Sequence, residues 1–435
     1  MDGFSLQKVS EVFKTNYDKK SENKYNSANI LNGRIVKKYD FTGSEKSILN
    51  PLSFSGGVGS GRLPKSSAAK YKQAKITSKR VYATCEVERE AIHASANDKG
   101  AFLRATQETV KKTVESYMRN DSRILFADGS AVLGAGDGNG ANVAGNGTEA
   151  TPYIVEIPSA LWKESNWEEE DYVQMVTGYS ASTTGGDATG TPEGGDTEAN
   201  LLLVQEVFTE TRKVALVGTS TRLAALSGNA PLAATDAIAM QRSFNKDPMG
   251  LKGVVDFSLN GGSSDKLYDI PHQRRWRMKV KDASGRGVTP DMLNEVMLDI
   301  ERQVGTVPTM IMTSYAQYKN ILALLEEQKV YTMGNRNLVK GKELKGKWGF
   351  NGVQFMSTRG AIGIFTERFC EDDRIYFLND NMIQRHHRPG HGWFTEDKTV
   401  FLRMQDEDAY SARYGGYYNN YIVPTGQGCI YGLAV

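Results

Sequence analysis

The stretch KYKQAKITSKRVYATCEVERE, residues 70–90, decides how the rest of the chain is read. It opens basic, alternates apolar and polar residues through its middle, and turns acidic before a helix-like run. From Ile76 onward, Val81, Ala83, Cys85 and Val87 fall on one face and Arg80, Tyr82, Thr84 and Glu86 on the other, which is the period of a strand. At roughly 3.3 Å per residue, such a strand would reach several tens of ångströms, longer than most strands of globular domains. It needs a surface to lie against.

On the N-terminal side, residues 34–69 run through GRIVKKYDFTG into the Gly/Ser-rich SFSGGVGSGRLPKSSAAK. Two extended segments around a basic, flexible tip predict a protruding hairpin. Residues 1–33 are polar and Asn/Lys-rich after a short amphipathic helix carrying Leu6, Val9 and Phe13, the pattern of an arm rather than a core. On the C-terminal side, Phe102, Thr106, Val110, Val114 and Met118 recur every four residues, with Asn97 or Asp98 placed to cap. This spacing predicts a helix over about 98–119, roughly 33 Å long, buried on one face and wet on the side of Glu108, Lys111, Lys112 and Glu115.

Beyond that helix the chain becomes β-rich and loopy. Strand-like runs YIVEIP, DYVQMVTGY and NLLLVQEVFTETRKVALVGT alternate with Gly/Asp/Thr-rich loops, and the last run predicts a hairpin turning at Glu210 to Arg212. A second helical region, TPDMLNEVMLDIERQVG, has Thr289 as cap, Pro290 at the first helical position and Met292, Val296 and Ile300 on one face. TMIMTSYAQYKNILALLEE then predicts a buried strand and another helix, and the chain closes in Tyr-rich strands. No repeat of 20–50 residues is evident. The class is α+β.

Composition narrows the function. A chain of 435 residues with 39% hydrophobic and 24% charged residues can bury several cores. Its net charge of +2, from 53 basic and 51 acidic residues, is unlike that of a protein devoted to gripping nucleic acid through one basic face. Three scattered cysteines, Cys85, Cys370 and Cys429, with no CxxC spacing, predict buried thiols rather than a disulfide framework. No run approaches the roughly 18–20 apolar residues of a bilayer span, and the N-terminus has no signal-peptide centre, so a soluble chain made in the cytoplasm is expected.

Catalytic patterns are weak. HHRPGH places His386, His387 and His391 close in sequence, with Cys370 and Glu367 as nearby donors, but it lacks the spacing of a zinc site. Adjacent histidines on a strand point to opposite faces, and a surface turn at an interface is the better reading. The Gly-rich loops match neither a phosphate loop nor a calcium loop, and no serine elbow is present. The acidic run Glu168 to Asp171 reads as a solvated face. The chain is therefore expected not to be an enzyme, and neither cofactor nor metal is expected.

What remains is mechanical: an arm, a long hairpin, a long helix, a β-rich platform and a separate helix-bearing lobe. Ordering an arm and hairpin costs roughly 1–2 kcal/mol per residue, and they bury little apolar area locally. Neighbouring copies are expected to supply the missing surface, as in a shell.

The stretch from GSGRLPKSSAAKYKQAKITSKRVYATCEVERE through the helix to RILFADGSA resembles the extended loop and spine helix of tailed-phage major capsid proteins. TPDMLNEVMLDIERQVGTVPTMIMTSYAQYKNILALLEEQKVYTMGN is similar to that family's axial domain. GKWGFNGVQFMSTRGAIGIFTERFCEDDRIYFLND and DEDAYSARYGGYYNNYIVP resemble its return into the peripheral domain. The likeness runs from about residue 34 to 435. It implies the HK97-like capsid fold, with an N-terminal arm (1–33), an extended loop or E-loop (34–89), a peripheral domain with spine helix and β-rich insertion (90–225), an axial domain (226–378) and returning peripheral strands (379–435).

It further implies hexamers and pentamers of the chain forming an icosahedral head around double-stranded DNA. A portal, a separate scaffolding protein and decoration proteins are the implied partners, there is no membrane partner, and assembly would take place in the host cytoplasm. On this reading residues 70–90 form the loop's returning strand, lying across a neighbour. Arg62, Lys70, Lys72, Lys75, Lys79 and Arg80 then become the expected contacts between subunits, answered by acidic residues such as Glu168 to Asp171, or Glu108 and Glu115, on the neighbour. An ordinary edge strand inside one domain is the alternative. At the level of function, the alternatives are a cellular encapsulin-type shell and a multilobed hydrolase or metal enzyme.

Overall fold

A computed structural model describes residues 30–41, 45–53, 70–88, 99–159, 161–182, 187–195, 200–262, 264–332, 353–395, 400–404 and 408–434. The amphipathic helix expected near Leu6 to Phe13, the hairpin tip with Arg62, and the caps Asn97 and Asp98 lie outside the described residues.

The first sheet is built on the 14-residue strand Ala409–Ile422. Lys79–Glu88 pairs antiparallel along one side of it, with Ala409 opposite Glu88 and Tyr418 opposite Lys79. Along the other side run Ile383–His387, Gly392–Trp393 and Leu402–Arg403 in succession. Val36–Lys38 then adds in parallel to Ile383–His387. The long helix Lys99–Phe126 packs across this sheet, burying Val110, Val114, Tyr117 and Met118 against Val81, Cys85, Tyr414 and Tyr418.

That helix has 28 residues, about 42 Å at 1.5 Å per residue, and it runs about two turns past the expected end at Arg119. The sequence Asn120-Asp121 reads locally as a stop. Tertiary packing overrides it, because Asp121, Ile124, Leu125 and Phe126 are all buried.

The opening stretch is two strands rather than one. Lys70–Thr77 pairs antiparallel with Glu45–Ser53 as the hairpin's returning arm, whereas Lys79–Glu88 belongs to the first sheet. Ser78 lies in neither. Burial shows why: Ala74 and Ile76 are buried at even positions, Val81 and Cys85 at odd ones. The inward face changes phase at the break, and a period-2 pattern read straight through it overestimates the strand. The first half is thus an arm of a hairpin and the second half a strand at the edge of the first sheet.

The second sheet lies entirely within residues 132–240. Its order is Val132–Ala135, Asp236–Met240, Tyr172–Ser180, Leu201–Phe208, Lys213–Gly218, Tyr153–Glu156, with Thr189–Pro192 added to Tyr172–Ser180. The expected hairpin turn is present, with Arg212 at φ 54° between paired strands. The sheet has its own core, including Leu133, Val155, Trp167, Met175, Leu216 and Ile238. Its last strand lies past residue 225, because Asp236–Met240 is hydrogen-bonded between the first strand and Tyr172–Ser180.

The third sheet runs Lys279–Asp282, Gly428–Tyr431, Ile375–Leu378, Met310–Thr313, Gly360–Thr366, Val353–Ser357. Helix Pro290–Val304 covers it with Met292, Val296 and Ile300. Thr289 caps that helix by accepting from Met292 N at 3.3 Å, and Gly305 ends it at φ 79°, a conformation glycine adopts without strain. Met310–Thr313 is buried at every position and leads into helix Tyr315–Thr332. The chain's last strand, Gly428–Tyr431, is thus part of this sheet and not of the first. A central core gathers residues from the hairpin base, the end of the long helix, the helix Leu251–Asn260 and the first and third sheets, among them Phe41, Ile76, Phe126, Val254, Trp276, Met312, Tyr376 and Tyr421.

Candidate functional site

The hairpin is anchored at its base. Ala74 and Ile76 sit in the central core, and Lys75 N donates to Tyr268 O at 2.9 Å. Above that base, Glu45–Ser53 and Lys70–Thr77 form a two-stranded sheet joined to no other strand among the described residues.

The expected contact residues divide by position. Lys72 and Lys75 on the hairpin are exposed, as is Arg80 on the edge strand, whose guanidinium stands 6.0 Å from the Tyr417 ring centroid. Lys70 begins the hairpin strand. Lys79 is turned inward, donating Nζ to Asn245 O at 2.9 Å. Of the acidic candidates, Glu168 and Asp171 are already engaged within the subunit: Arg119 on the long helix donates to Glu168 at 2.5 Å and to Asp171. Glu115 is exposed on the same helix.

His386 and His387 are not on a surface turn, as the sequence suggested, whereas His391 follows the exposed residues 388–390. Strand Ile383–His387 lies between Val36–Lys38 and Ala409–Ile422, which buries His386 and His387 almost completely. They do point to opposite faces. His386 Nδ1 lies 2.7 Å from Asp40 Oδ1, while His387 stacks on Tyr39 and meets His391 and Tyr418 edge-on or tilted. His391 Nε2 lies 3.2 Å from Tyr117 OH. Burial, reinforced by Arg385, holds the His387 imidazole down to about 2, and burial holds His391 down to about 4, so both are neutral at pH 7. Among the described residues, no three His, Cys, Asp or Glu side chains are grouped to hold a metal.

Two buried charge clusters escaped the sequence reading. In the first, Arg385 reaches Asp121 Oδ2 at 2.8 Å, Asn32 Oδ1 at 2.9 Å and Asn420 Oδ1 at 2.8 Å, and Tyr418 OH also donates to Asp121. One arginine thereby ties the chain's N-terminal segment, the long helix and two strands of the first sheet. The available signal was a carboxylate on the helix's apolar stripe, since Asp121 follows Val114, Tyr117 and Met118 at helical spacing.

The second cluster sits where the three regions meet. Asp128, just past the long helix, pairs with Lys252 at 3.2 Å, and Lys163 from the second-sheet region pairs with Glu371 at 2.9 Å beside the third sheet. Tyr376 OH donates to Glu371 at 2.8 Å. Burial would raise Glu371, but Lys163, Arg374 and Lys252 outweigh it and hold it at about 2. At Asp256 burial outweighs the pull of Lys252 and Arg374 and pushes the carboxyl up to about 6, and at Glu367 burial, opposed only by a backbone hydrogen bond from Arg368, pushes it up to about 7. The three thiols are free and buried, and burial raises each above its ordinary value. These groups are partners of one another in packing.

Comparison with known proteins gives the same direction. The family model described as SU10 major capsid protein matches residues 229–393. No curated protein matches the chain in sequence. Among solved structures, the capsid of Cyanophage A-1(L) is similar at a TM-score of 0.50 with 10% identity, covering 92% of this chain and 91% of that one. Mycobacterium phage Bobi aligns at a TM-score of 0.39 with 6% identity, over 92% of this chain and 88% of that one. No helix among the described residues is long and apolar enough to cross a membrane. The family match thus covers the exit of the second sheet and most of the third, and over nine-tenths of its length the chain has the mixed α+β, HK97-like fold of phage capsid proteins.

Proposed function

We propose that the chain self-assembles into hexamers and pentamers that close an icosahedral head around double-stranded DNA, with the hairpin clamping each subunit to its neighbour. The supporting observation is the hairpin itself. Its base is buried in its own subunit, yet its two strands extend as a separate two-stranded sheet with Tyr71, Lys72 and Lys75 exposed. Two strands alone are marginally stable in water. A neighbour's surface supplies what they lack.

In this reading residues 1–33 are the arm, 34–89 the extended loop, 90–225 the peripheral domain, whose insertion runs on through the strand Asp236–Met240, 226–378 the axial domain and 379–435 the return, whose last strand Gly428–Tyr431 joins the third sheet. Arg62, Lys70, Lys72, Lys75 and Arg80 face the neighbour, and Lys79 supports the strand from within. A portal, a separate scaffolding protein and decoration proteins complete the head, which is put together in the host cytoplasm. Each exposed ion pair contributes only about 0–1 kcal/mol, but the contact recurs at every subunit. Reversing its charge therefore acts on assembly more than on the fold.

The test is Lys72→Glu combined with Lys75→Glu. A soluble subunit with unchanged circular dichroism that forms no closed particles by negative-stain microscopy is expected. Normal shells from the double variant would rule out the clamp.

A further inference from the structure

The near-neutral total conceals a division of charge between parts of the fold. Residues 132–240, the second sheet with its loops, hold 15 acidic and 4 basic residues, a net of −11. The other 326 residues hold 36 acidic and 49 basic, a net of +13.

The surface sharpens the contrast. Asp137, Glu149, Glu169, Glu170, Glu206 and Glu210 are exposed, whereas Lys163, Arg212, Lys213 and Arg222 are each only partly so. Two of those four cations are neutralised in place, Lys163 by Glu371 and Arg222 by Asp236. The acidic unit is also structurally separable: it has its own core, and its entry and exit are joined where Met240 N donates to Ala131 O at 3.0 Å.

The opposite pole is a short segment leading into the third sheet. Arg274, Arg275 and Arg277 are exposed around Trp276, which is buried. Their backbone is pinned: Gln303 Nε2 donates to Arg274 O at 3.4 Å and to Arg277 O at 3.2 Å, and Thr425 Oγ1 donates to Arg275 O. Three guanidinium groups are thus carried outward on a fixed stretch of chain.

Double-stranded DNA carries one negative charge per about 1.7 Å of axis, and like charges within a Debye length of about 8 Å repel it with little screening. Packed nucleic acid meets every inward-facing surface at that range. A unit of net −11 on the inner wall would oppose filling, and arginines there would favour it. We propose that residues 132–240 form the outer face of the shell and that the Arg274–Arg277 segment faces the packaged polyanion, a reading that rests on the chain being a shell protein around nucleic acid.

The experiment labels intact, filled particles with a maleimide carried on a polymer too large to pass the wall. The native thiols are buried and contribute little background. Glu149→Cys should label equally on intact and opened particles, and Arg277→Cys only after opening. The reversed pattern, label at both positions before opening, or label at neither, overturns the assignment. Should either variant fail to assemble, Glu206→Cys and Arg274→Cys give the same readout. Failure of the unaltered chain to form particles would instead sink the shell reading, and the orientation with it.

Discussion

Arg385 and Asp121, 264 residues apart in sequence, meet at 2.8 Å with side chains 0% and 1% exposed. Neither charge has solvent to fall back on. Removing one partner of a buried pair leaves the other uncompensated, at a cost of about 3–5 kcal/mol, whereas replacing both with apolar residues is often neutral. Asp121→Ala is therefore expected to lose about that much in urea denaturation of the isolated subunit, and Asp121→Leu with Arg385→Met to recover most of it. A double variant as unstable as the single one would mean that the hydrogen bonds to Asn32 and Asn420, not the charges, hold the junction.

Gly415 marks where the edge strand presses closest to the long central strand. A Cβ at this position would lie 2.3 Å from Val81 O and 2.6 Å from Tyr82 Cα, both backbone atoms that cannot rotate away. Gly415→Ala should force Lys79–Glu88 off its ladder and destabilise the subunit by about 1–3 kcal/mol, the usual range for overpacking. Hydrogen exchange would show the loss first at Val81 and Ala83. Unchanged protection there would contradict the pairing register.

Much of this architecture was legible in residue periodicity, and its failures have local causes. The helix Pro290–Val304 declared its cap, its start and its buried face through Thr289, Pro290, Met292, Val296 and Ile300, because those signals act within one turn. The break at Ser78 was visible only as a change of parity between Ile76 and Val81, easily lost in a continuous alternation. The end of the long helix was misplaced because Asp121 is stabilised by Arg385 and Tyr418, which no local pattern announces. For the same reason, lysines on the hairpin could be proposed as contacts from sequence, but Lys79's carbonyl partner at Asn245 and Arg119's hold on Glu168 could not be foreseen.

His387 gives an acid-side prediction. Neither of its ring nitrogens has a hydrogen-bond partner among the described residues, and its folded value of about 2 lies far below the usual 6.5. The unfolded chain therefore binds the proton more readily, and the neutral histidine's full contribution is present above pH 6.5 and is lost as pH falls. His387→Phe abolishes that loss. Relative to the unaltered subunit, the variant is expected to gain about 2–3 kcal/mol on going from pH 7 to pH 4.5, at roughly 1.4 kcal/mol per pH unit below 6.5. Parallel stability curves for the two proteins would show that the imidazole is solvated or charged in the fold.

Glu367 works in the opposite sense. Burial raises its carboxyl to about 7, offset only in part by the hydrogen bond that Arg368 N donates to it. The folded state thus binds the proton more tightly than the unfolded chain, whose value is 4.5. Its contribution is fully present below pH 4.5 and declines as pH rises to about 7, above which a bare carboxylate stays buried beside the third sheet. A shift of this size corresponds to an upper bound of about 3 kcal/mol. Glu367→Gln keeps the shape and removes the charge, so the variant should match the unaltered subunit at pH 4.5 and exceed it increasingly up to pH 8, read as the urea midpoint. Since the histidine term rises with pH while this one falls, the unaltered subunit should show a flatter profile between pH 4.5 and 6.5 than either variant alone. A Gln variant that is less stable at pH 8 would place a cation beside Glu367 and reverse the sign of its role.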